Sequence, residues 1–490
     1  MLLMGIDLGT SSIKVSIVDA STQKCIAAAQ YPDTEAEIIS VKQGWAEQSP
    51  ETWWDYTQKA ILKANQSDKY NPADISAIGI AYQMHGLVCV DKNQKVLRNS
   101  IIWCDSRAVP YGEKAFHSIG EEKSLSHLLN SPGNFTAAKL AWVKDNEPDI
   151  FKQIDKIMLP GDFLAMKLTG DITTSISALS EGIFWDFKNN TVSNDVLDAF
   201  GFNSSIIPTI KDVFTSHGTV TKEIAKLLSL QEGIPVTYKS GDQPNNALSL
   251  NVLQPGEIAA TAGTSGVVYG VTDKVAYDPL SRVNSFAHVN YTKEKTRIGI
   301  LLCINGTGIF NSWMKKNFFN GLSYDQINAE AAKINIGSDG LLLYPFGNGA
   351  ERVLQNKDVG ASMKGLQFNT HHRGHFARAA QEGIVFSLNY GVEIMKQMGM
   401  ELKTVRAGYA NMFLSDVFSQ TFANTTGCTV ELYNTDGSIG AARGAGIGVG
   451  YYASYEDGFK GMELIRKIEP ETNLSSQYEA VYASWKSGLV

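Results

Sequence analysis

The sequence lacks the features that mark membrane-spanning, secreted and nucleic-acid-binding proteins. No apolar run approaches the ~18 residues that a bilayer-spanning helix needs, so we expect no membrane partner. The 5 cysteines are scattered without a Cys-x-x-Cys pair, which favours reduced thiols over a disulfide framework or a structural zinc site. No dense Lys/Arg run is present and the formal net charge is −7, which argues against a nucleic-acid partner.

The bulk composition is that of a globular protein with two domains. The chain begins without the basic region and long apolar core of a signal peptide, so we expect a cytoplasmic location. It is 43% hydrophobic and 19% charged, and its 490 residues are too many for one core. Gly, Pro and Asn become frequent around residues 228–255. We therefore predict an N-terminal lobe at 1–250, a C-terminal lobe at 251–455, and a helical extension at 456–490 that packs back on the lobes.

A short phrase of glycine and hydroxyl residues occurs twice, as DLGTSS at 7–12 and as TAGTSG at 261–266. Each copy lies between two β-rich stretches and predicts a hairpin turn, in which glycine allows close approach to the backbone. Successive N–H groups and hydroxyls in such turns suit phosphate. One turn in each half predicts two similar lobes that close on one polyphosphate, although two ordinary hairpins would leave the same pattern.

Apolar patterning predicts a mixed α/β arrangement in each half. Three β-rich runs open the chain as an antiparallel meander, and helices and strands then alternate, which is typical of a mixed sheet. The second half repeats this order and adds a long helix at 375–398. We expect residues 159–185 to hold loops and a small subdomain. Strands are predicted at 2–7, 13–19, 25–31, 75–81, 258–261, 267–271, 297–305, 404–408 and 429–433.

Other phosphate-binding patterns are absent or do not fit. No Gly-Lys-Ser or Gly-Lys-Thr occurs, which excludes a P-loop. The glycine-rich run at 444–450 follows no strand directly and has the wrong register for a dinucleotide fingerprint. We interpret this run as close helix packing, so the two hairpin phrases are the candidates for phosphate binding.

Two aspartates near the predicted cleft could take part in phosphate chemistry. Asp7 ends the first strand just ahead of the first phrase, where a carboxylate is unfavourable beside phosphate unless a cation such as Mg²⁺ lies between them. Asp242 lies in a polar stretch at the domain boundary and could accept the proton of an attacking hydroxyl. A turn-forming role for Asp7 and an ordinary polar surface turn at Asp242 are the alternatives.

Two polar clusters follow predicted strand ends in the first half, as QMHG at 83–86 and WCDSR at 103–107. The ends of strands in α/β sheets line ligand crevices. The Gln, His, Asp and Arg side chains offer the donors and acceptors that a polyhydroxylated ligand needs, and Trp103 could stack on a sugar face. A satisfied structural histidine at position 85 is the alternative.

These phrases resemble those of the FGGY family of carbohydrate kinases, and the resemblance extends over nearly the whole chain. DLGTSSIK at 7–14 and GTSG at 263–266 resemble the two phosphate turns of the family. QMHG at 83–86 is similar to the sugar-site phrase of members that act on D-xylulose. WCDSR, TAAKLAW at 136–142 and LPGDF at 159–163 resemble further family phrases, and GDQ at 241–243 corresponds to the phrase with the catalytic base.

The resemblance implies an α/β fold with two lobes, of the actin, hexokinase and Hsp70 ATPase type (ribonuclease H-like), with the active site in the cleft. It implies Mg-ATP as donor, Mg²⁺ near Asp7, Asp242 as general base, and a ketose acceptor, most closely D-xylulose, which would give D-xylulose 5-phosphate. Nucleotide contacts are expected from Gly9, Thr10, Ser11, Ser12, Lys14, Gly263, Thr264, Ser265, Gly408 and Asn411. Substrate contacts are expected from Gln83, Met84, His85, Trp103, Asp105, Arg107 and Gln243.

Three places depart from the family pattern. The adenosine phrase is usually a run of glycines followed by alanine, but here GYAN occupies 408–411. Gln243 follows the base where asparagine is frequent in D-xylulose-specific members. The common Gly-Glu-Arg-Thr-Pro loop is replaced by GAERV at 349–353. These departures concern the base contacts and the exact sugar.

Two other functions stay open. Another FGGY specificity would act on ribulose, rhamnulose, fuculose, gluconate or glycerol. A non-catalytic ATP switch or chaperone of the same architecture would bind ATP without phosphoryl transfer, but only about 40 residues follow the last small-residue helix, too few for a separate client-binding domain. A homodimer is also left open.

Overall fold

The computed structural model of the protein describes residues 1–489, which form two mixed β-sheets with helices on their faces. The strands are β1 (Leu2–Leu8), β2 (Ile13–Asp19), β3 (Cys25–Tyr31), β4 (Glu47–Gln48), β5 (Ile75–Tyr82), β6 (Val88–Val90), β7 (Ser100–Ile101), β8 (Lys156–Met158), β9 (Thr173–Thr174), β10 (Trp185–Asp186), β11 (Thr191–Val192), β12 (Thr209–Ile210), β13 (Val236–Gly241), β14 (Ile258–Ala262), β15 (Gly266–Thr272), β16 (Asn284–Ala287), β17 (Ile298–Ile304), β18 (Leu342–Tyr344), β19 (Ser362–Lys364), β20 (Thr404–Gly408), β21 (Thr429–Tyr433) and β22 (Leu464–Ile468).

The helices connect these strands and cover the sheets. They are α1 (Pro50–Asn65), α2 (Val109–Ile119), α3 (Glu121–Leu128), α4 (Thr136–Asn146), α5 (Pro148–Phe151), α6 (Pro160–Thr169), α7 (Ile176–Glu181), α8 (Asn194–Phe200), α9 (Lys222–Leu228), α10 (Asp242–Ser249), α11 (Gly308–Phe318), α12 (Tyr324–Ala332), α13 (Arg373–Gln397), α14 (Asp416–Thr426), α15 (Gly437–Gly448) and α16 (Ser475–Ser487). Within residues 1–489 no helix combines the length and the apolar character that crossing a lipid bilayer requires.

The two large sheets share one topology. In the first, the strand order is β13-β5-β1-β2-β3, with antiparallel pairs from β1 to β3 and parallel pairs from β1 to β13. In the second, β21-β20-β14-β15-β17 repeats this order and these orientations, and β16 and β22 extend its two edges. The predicted meander and the predicted mixed α/β class are therefore confirmed. The repeated hairpins β1–β2 and β14–β15 carry the two glycine-hydroxyl phrases.

Two local predictions differ from the structure. Residues 159–185, expected to hold loops and a small subdomain, contain the buried helices α6 and α7, which cover part of the first sheet. Asp242, expected on a polar turn, is the first residue of α10 and directly follows β13. Of the residues that suggested a turn there, Gly241 ends β13 and Pro244 lies in the first turn of α10, where proline needs no backbone partner.

Glycines let α15 lie directly on the first sheet. A Cβ on Gly5 of β1 would lie 1.8 Å from the carbonyl oxygen of Ser438, and one on Gly448 would lie 2.0 Å from that of Thr237. The side chain of Asn245 on α10 donates to the carbonyl of Gly437 at 2.9 Å. Gly448 belongs to the 444–450 run, so its contact agrees with the close helix packing predicted from that sequence. The bond from Asn245 holds α10 beside α15.

The end of the chain contributes to the second half of the fold. Strand β22 pairs with β21 at the edge of the second sheet, and α16 follows it. Trp485 on α16 is fully buried and donates to the carbonyl of Leu343 at 3.0 Å. The division at 1–250, 251–455 and 456–490 stays a prediction.

Replacing Gly79 of β5 by alanine tests the close contact between α15 and the first sheet. The added Cβ would lie 2.0 Å from the carbonyl oxygen of Ala441, an atom that α15 holds in place. We expect the free energy of unfolding to fall by about 2 kcal/mol or more, as overpacking does at rigid sites. Denaturant titration measures this. Gly458→Ala is the control, because its nearest neighbour would lie at an ordinary 3.4 Å. Equal stability of the two variants would refute the argument.

Candidate active site

One cavity of about 430 Å³ brings together residues from both halves of the chain. Thr10 of the first hairpin and Ser265 of the second both line it, and so does Asp242 at the start of α10. The other predicted residues in its wall are Met84, His85, Trp103 and Gln243. The two hairpins, the candidate base and part of the predicted sugar site therefore share one space.

The first hairpin is a tight turn held by a side-chain network. The N–H of Gly9 donates to the carbonyl of Ser12 at 3.1 Å, which closes the turn. The hydroxyl of Thr10 accepts a hydrogen bond from Trp103 Nε1 at 2.9 Å and donates to Gln83 Oε1 at 3.3 Å. Gln48 donates to the Thr10 carbonyl at 2.8 Å. These bonds fix the turn against the strand ends that carry the polar clusters.

The surroundings of Asp7 and Asp242 raise the pKa of both carboxyl groups. Burial, with the neighbouring Asp7 carboxylate as a second cause, raises the pKa of Asp242 to about 7. Burial and Asp436 raise the pKa of Asp7 to about 6, while Lys14 on the neighbouring strand opposes the shift. Uncompensated carboxylates in one cleft favour a proton or a cation. A carboxylate with a pKa near neutrality is suited to accept a proton.

Asp7 has the surroundings of a residue that could face a hydrated Mg²⁺. It lies against the first residue of α15, because a Cβ on Gly437 would lie 2.3 Å from Asp7 Oδ2. Mg²⁺ in phosphate sites uses one or two carboxylates and keeps several waters, so one such carboxylate is a sufficient protein ligand. Within residues 1–489, the one group of three side chains whose potential metal-ligating atoms lie close together is elsewhere, at His127, Asp186 and Asp195.

His85 is held in one orientation by Glu181. It adopts a left-handed backbone conformation with φ of 63°, which is uncommon for a residue with a side chain. The ring Nδ1 of His85 lies 3.0 Å from the carbonyl oxygen of Glu181. The backbone N–H of His85 donates to Glu181 Oε1 at 3.3 Å. Burial and the nearby Lys139 lower the pKa of His85 to about 3. The ring is therefore neutral, Nδ1 carries the proton, and Nε2 is left as an acceptor.

A second cavity of about 480 Å³ lies beside the second hairpin. Gly263 and Thr264 line it, as does Asn411 after β20. Helix α11 starts against this hairpin, since Gly308 N–H donates to the Gly263 carbonyl at 2.8 Å. A cavity lined by this turn and by apolar residues such as Met412 and Leu414 suits a nucleotide, with phosphates at the turn.

Asp105 and Arg107 do not line the cavity, and the expected substrate contacts of their side chains stay predictions. Asp105 is fully buried, accepts from the Ala46 N–H at 2.6 Å and pairs with Arg107 at 2.7 Å. Arg107 also pairs with Glu47 at 2.6 Å. Their charges are neutralised within the protein, so these residues hold the loop that carries Trp103.

The amide of Gln83 is also satisfied within the protein. Gln83 is 2% exposed, and its Nε2 donates to Gln48 Oε1 at 2.9 Å. Its Oε1 accepts from Thr10, so Gln83 positions Thr10, and its predicted contact with the substrate stays a prediction. The remaining predicted nucleotide residues lie outside the walls of both cavities. Gly9, Ser11 and Ser12 belong to the turn of Thr10, Lys14 is exposed on β2, and Gly408 ends β20.

Several cavity residues were missed by sequence reasoning. Asn134 and Phe135 line the shared cavity directly ahead of the TAAKLAW phrase, and Arg352 lines it from the loop that departs from the family pattern. These three residues lie next to or within the TAAKLAW and GAERV phrases, and that proximity could have identified them. Glu181 lies behind His85 and follows no such phrase, so only the packing of the folded chain reveals its role.

The comparisons with known proteins agree with this geometry. Residues 2–249 match the N-terminal domain, and residues 258–448 the C-terminal domain, of the FGGY family of carbohydrate kinases. A xylulose kinase from Bacillus subtilis is 30% identical, over 93% of this chain and 90% of its own. The crystal structure of xylulose kinase from Rhodospirillum rubrum has a TM-score of 0.89 at 24% identity, covering 99% and 98% of the two chains. That of gluconate kinase from Lactobacillus acidophilus has 0.89 at 21%, covering 99% and 97%.

The clamp on His85 predicts that its ring stays neutral in mild acid. With a folded-state pKa of about 3, we expect no protonation of His85 between pH 7 and pH 5, since burial penalises the charged ring. NMR of protein with labelled histidine measures this, and the signal is assigned by its loss in His85→Asn. A histidine-containing model peptide, whose ring titrates near pH 6.5, is the control. A His85 titration midpoint near 6.5 would contradict the clamp.

Proposed function

The chain belongs to the FGGY family of carbohydrate kinases, and from this membership we propose that its acceptor is the ketose D-xylulose. The protein is an ATP-dependent carbohydrate kinase, and the proposed product is D-xylulose 5-phosphate. The observation that carries the proposal is the shared cavity, in which Asp242, His85 and residues of both hairpins meet. The xylulose kinases among its relatives support the choice of sugar.

We infer that Asp242 is the general base. The terminal hydroxyl of the sugar would attack the γ-phosphorus of ATP, its proton would pass to an Asp242 carboxylate oxygen, and the bond from γ-phosphorus to the bridging oxygen would break to release ADP. In phosphoryl transfer, alignment and charge stabilisation are most of what a protein supplies. The raised pKa of Asp242, caused first by burial, suits a base that works near neutral pH.

The two hairpins are proposed to hold the polyphosphate between the lobes. Thr10 and Ser265 line the shared cavity, and Gly263 and Thr264 line the neighbouring nucleotide cavity. N–H groups and hydroxyls in such turns bind phosphate oxygens. Closure of the lobes would exclude water, which otherwise competes as the nucleophile.

Mg²⁺ is proposed beside Asp7, held through water. When bound there, the ion would neutralise phosphate charge in the cleft. The carboxylate of Asp7 fits this role because burial and Asp436 raise its pKa and a nearby cation would relieve the repulsion. A cytoplasmic location and a homodimer stay predictions.

The sugar is proposed to lie between the strand-end residues and α10. His85 Nε2 would accept a hydrogen bond from a sugar hydroxyl, and Gln243 would offer an amide beside the base. Met84 is 5% exposed and Trp103 is 47% exposed, so the indole can cover an apolar sugar face. The other FGGY sugars remain the alternative, since a gluconate kinase shares this fold at a TM-score of 0.89.

Asp242→Asn tests the base. We expect kcat to fall by two or more orders of magnitude, because the amide cannot take the proton. In the unsubstituted enzyme the carboxylate form is active, so kcat/KM for the sugar should fall as the pH drops through about 7. Steady-state ADP release measures both. Asp212→Asn is the control, since Asp212 is exposed outside the cavity and should keep full activity. Near-normal turnover of Asp242→Asn would remove Asp242 from the role.

A panel of acceptors tests the sugar. We expect D-xylulose to give the highest kcat/KM among D-xylulose, ribulose, rhamnulose, fuculose, gluconate and glycerol, measured as ADP release at fixed Mg-ATP. Each acceptor is run without enzyme and with Asp242→Asn to subtract background. Equal kcat/KM values for all acceptors, or a higher value for glycerol or gluconate, would overturn the xylulose assignment. ATP binding with no turnover on any acceptor would favour the non-catalytic alternative.

A further inference from the structure

Arg352 lines the sugar cavity from the second half of the chain. It begins a short 3₁₀ turn, Arg352–Leu354, in the second half of the chain and lines the same 430 Å³ cavity as His85 and Asp242. Its guanidinium carbon lies 5.6 Å from the centre of the Phe135 ring, and the His85 ring packs on that same ring at 4.8 Å. Phe135 thus lies beside both a donor from the second half of the chain and an acceptor from the first.

The guanidinium of Arg352 is poorly satisfied by the protein. Within residues 1–489 the guanidinium makes one hydrogen bond, from Nη1 to the carbonyl oxygen of Ser281 at 3.3 Å. Within residues 1–489 no Asp or Glu oxygen lies within 4.0 Å of it, whereas the buried Arg107 has two such partners. Burial lowers the pKa of Arg352 to about 10, in agreement with a charge that lacks a counterion. Arg352 is half-buried, and an arginine with free donors at a cavity wall is expected to meet its acceptors on a ligand.

A fully buried glutamate holds Arg352 in place. Glu351 is 0% exposed, and its two carboxylate oxygens accept from the N–H of Asn305 at 3.0 and 3.1 Å. The Asn305 side chain donates in return to the carbonyl of Ala350 at 3.0 Å. These bonds attach the loop to the end of β17, next to the second hairpin. The guanidinium is therefore carried by the sheet of the second lobe.

We propose that Arg352 contacts the sugar and selects for a ketone. Its planar fork donates hydrogen bonds and accepts none, so it matches a carbonyl oxygen. The neutral His85 Nε2 accepts, so it matches a neighbouring hydroxyl. One donor and one acceptor across the same cavity recognise an α-hydroxyketone, the group that distinguishes a ketose from the corresponding polyol. Because the donor belongs to the second lobe, a bound ketose joins the two lobes. This proposal rests on the proposed function.

The test compares Arg352→Met with the unsubstituted enzyme, by sugar binding without ATP and by kinetics. We expect the dissociation constant for D-xylulose, from calorimetry, to rise ~10–100-fold, as for loss of charged hydrogen bonds. The affinity for xylitol and the KM for ATP should change less than threefold, so the preference for ketose over polyol falls. Arg352→Lys keeps the positive charge but lacks the planar guanidinium, so its loss of D-xylulose affinity should be intermediate. This second variant keeps the test valid if Arg352→Met does not fold. Arg373→Met is the control, since its side chain is 58% exposed and outside the cavity.

Two results would overturn the proposal. One is an unchanged D-xylulose affinity in both Arg352 variants. The other is a loss confined to kcat and the KM for ATP, which would assign the guanidinium to the phosphoryl group. Failure of the proposed function is seen separately, in the unsubstituted enzyme on the acceptor panel. If its best acceptor there is a polyol, selection for a ketone by Arg352 is also refuted. If it is another ketose, the same comparison is made with that sugar and its polyol.

Discussion

The contact between α15 and the first sheet is the constraint on which the site depends. Gly5 and Gly79 let the helix backbone touch β1 and β5 directly, and Gly448 allows the same on β13. At such distances the helix cannot slide without a backbone clash. The start of α15 then meets the end of β1 at Asp7, and α10, bonded to the same helix start through Asn245, brings Asp242 into the same cleft.

The charges of the cleft are arranged for ligands. On the first-lobe side, burial raises the pKa of both Asp7 and Asp242, helped by Asp436 at Asp7 and by Asp7 at Asp242, so the two groups are suited to take a cation and a proton. On the second-lobe side, Arg352 is a half-buried cation that lacks a carboxylate partner among residues 1–489. Such uncompensated groups cost folding free energy, so their retention points to substrates that supply the missing partners. Paired charges such as Asp105 and Arg107 instead stabilise the surrounding loops.

Much of the fold could be predicted because the signals are local. The hairpins and most strand limits follow from alternation of apolar residues and from glycine in the turns, and β3 and β20 agree with the predicted limits. Residues 159–185 were harder to interpret, since short helices give too few turns for a clear period. In the site, residue type identified Asp242 and His85 as candidates. It could not separate them from Asp105 and Arg107, which have equally suitable chemistry but face inward.

The sequence by itself determined the two hairpins, the mixed α/β lobes and the family, because turn chemistry, strand patterning and short phrases are written in neighbouring residues. Only the tertiary structure decided which polar side chains reach a cavity and which are neutralised by a partner. That choice depends on contacts between residues far apart in the chain, such as Glu181 with His85, Asn245 with Gly437, and Glu351 with Asn305. Burial and pairing of this kind have no local pattern, since they arise only when separate elements pack together.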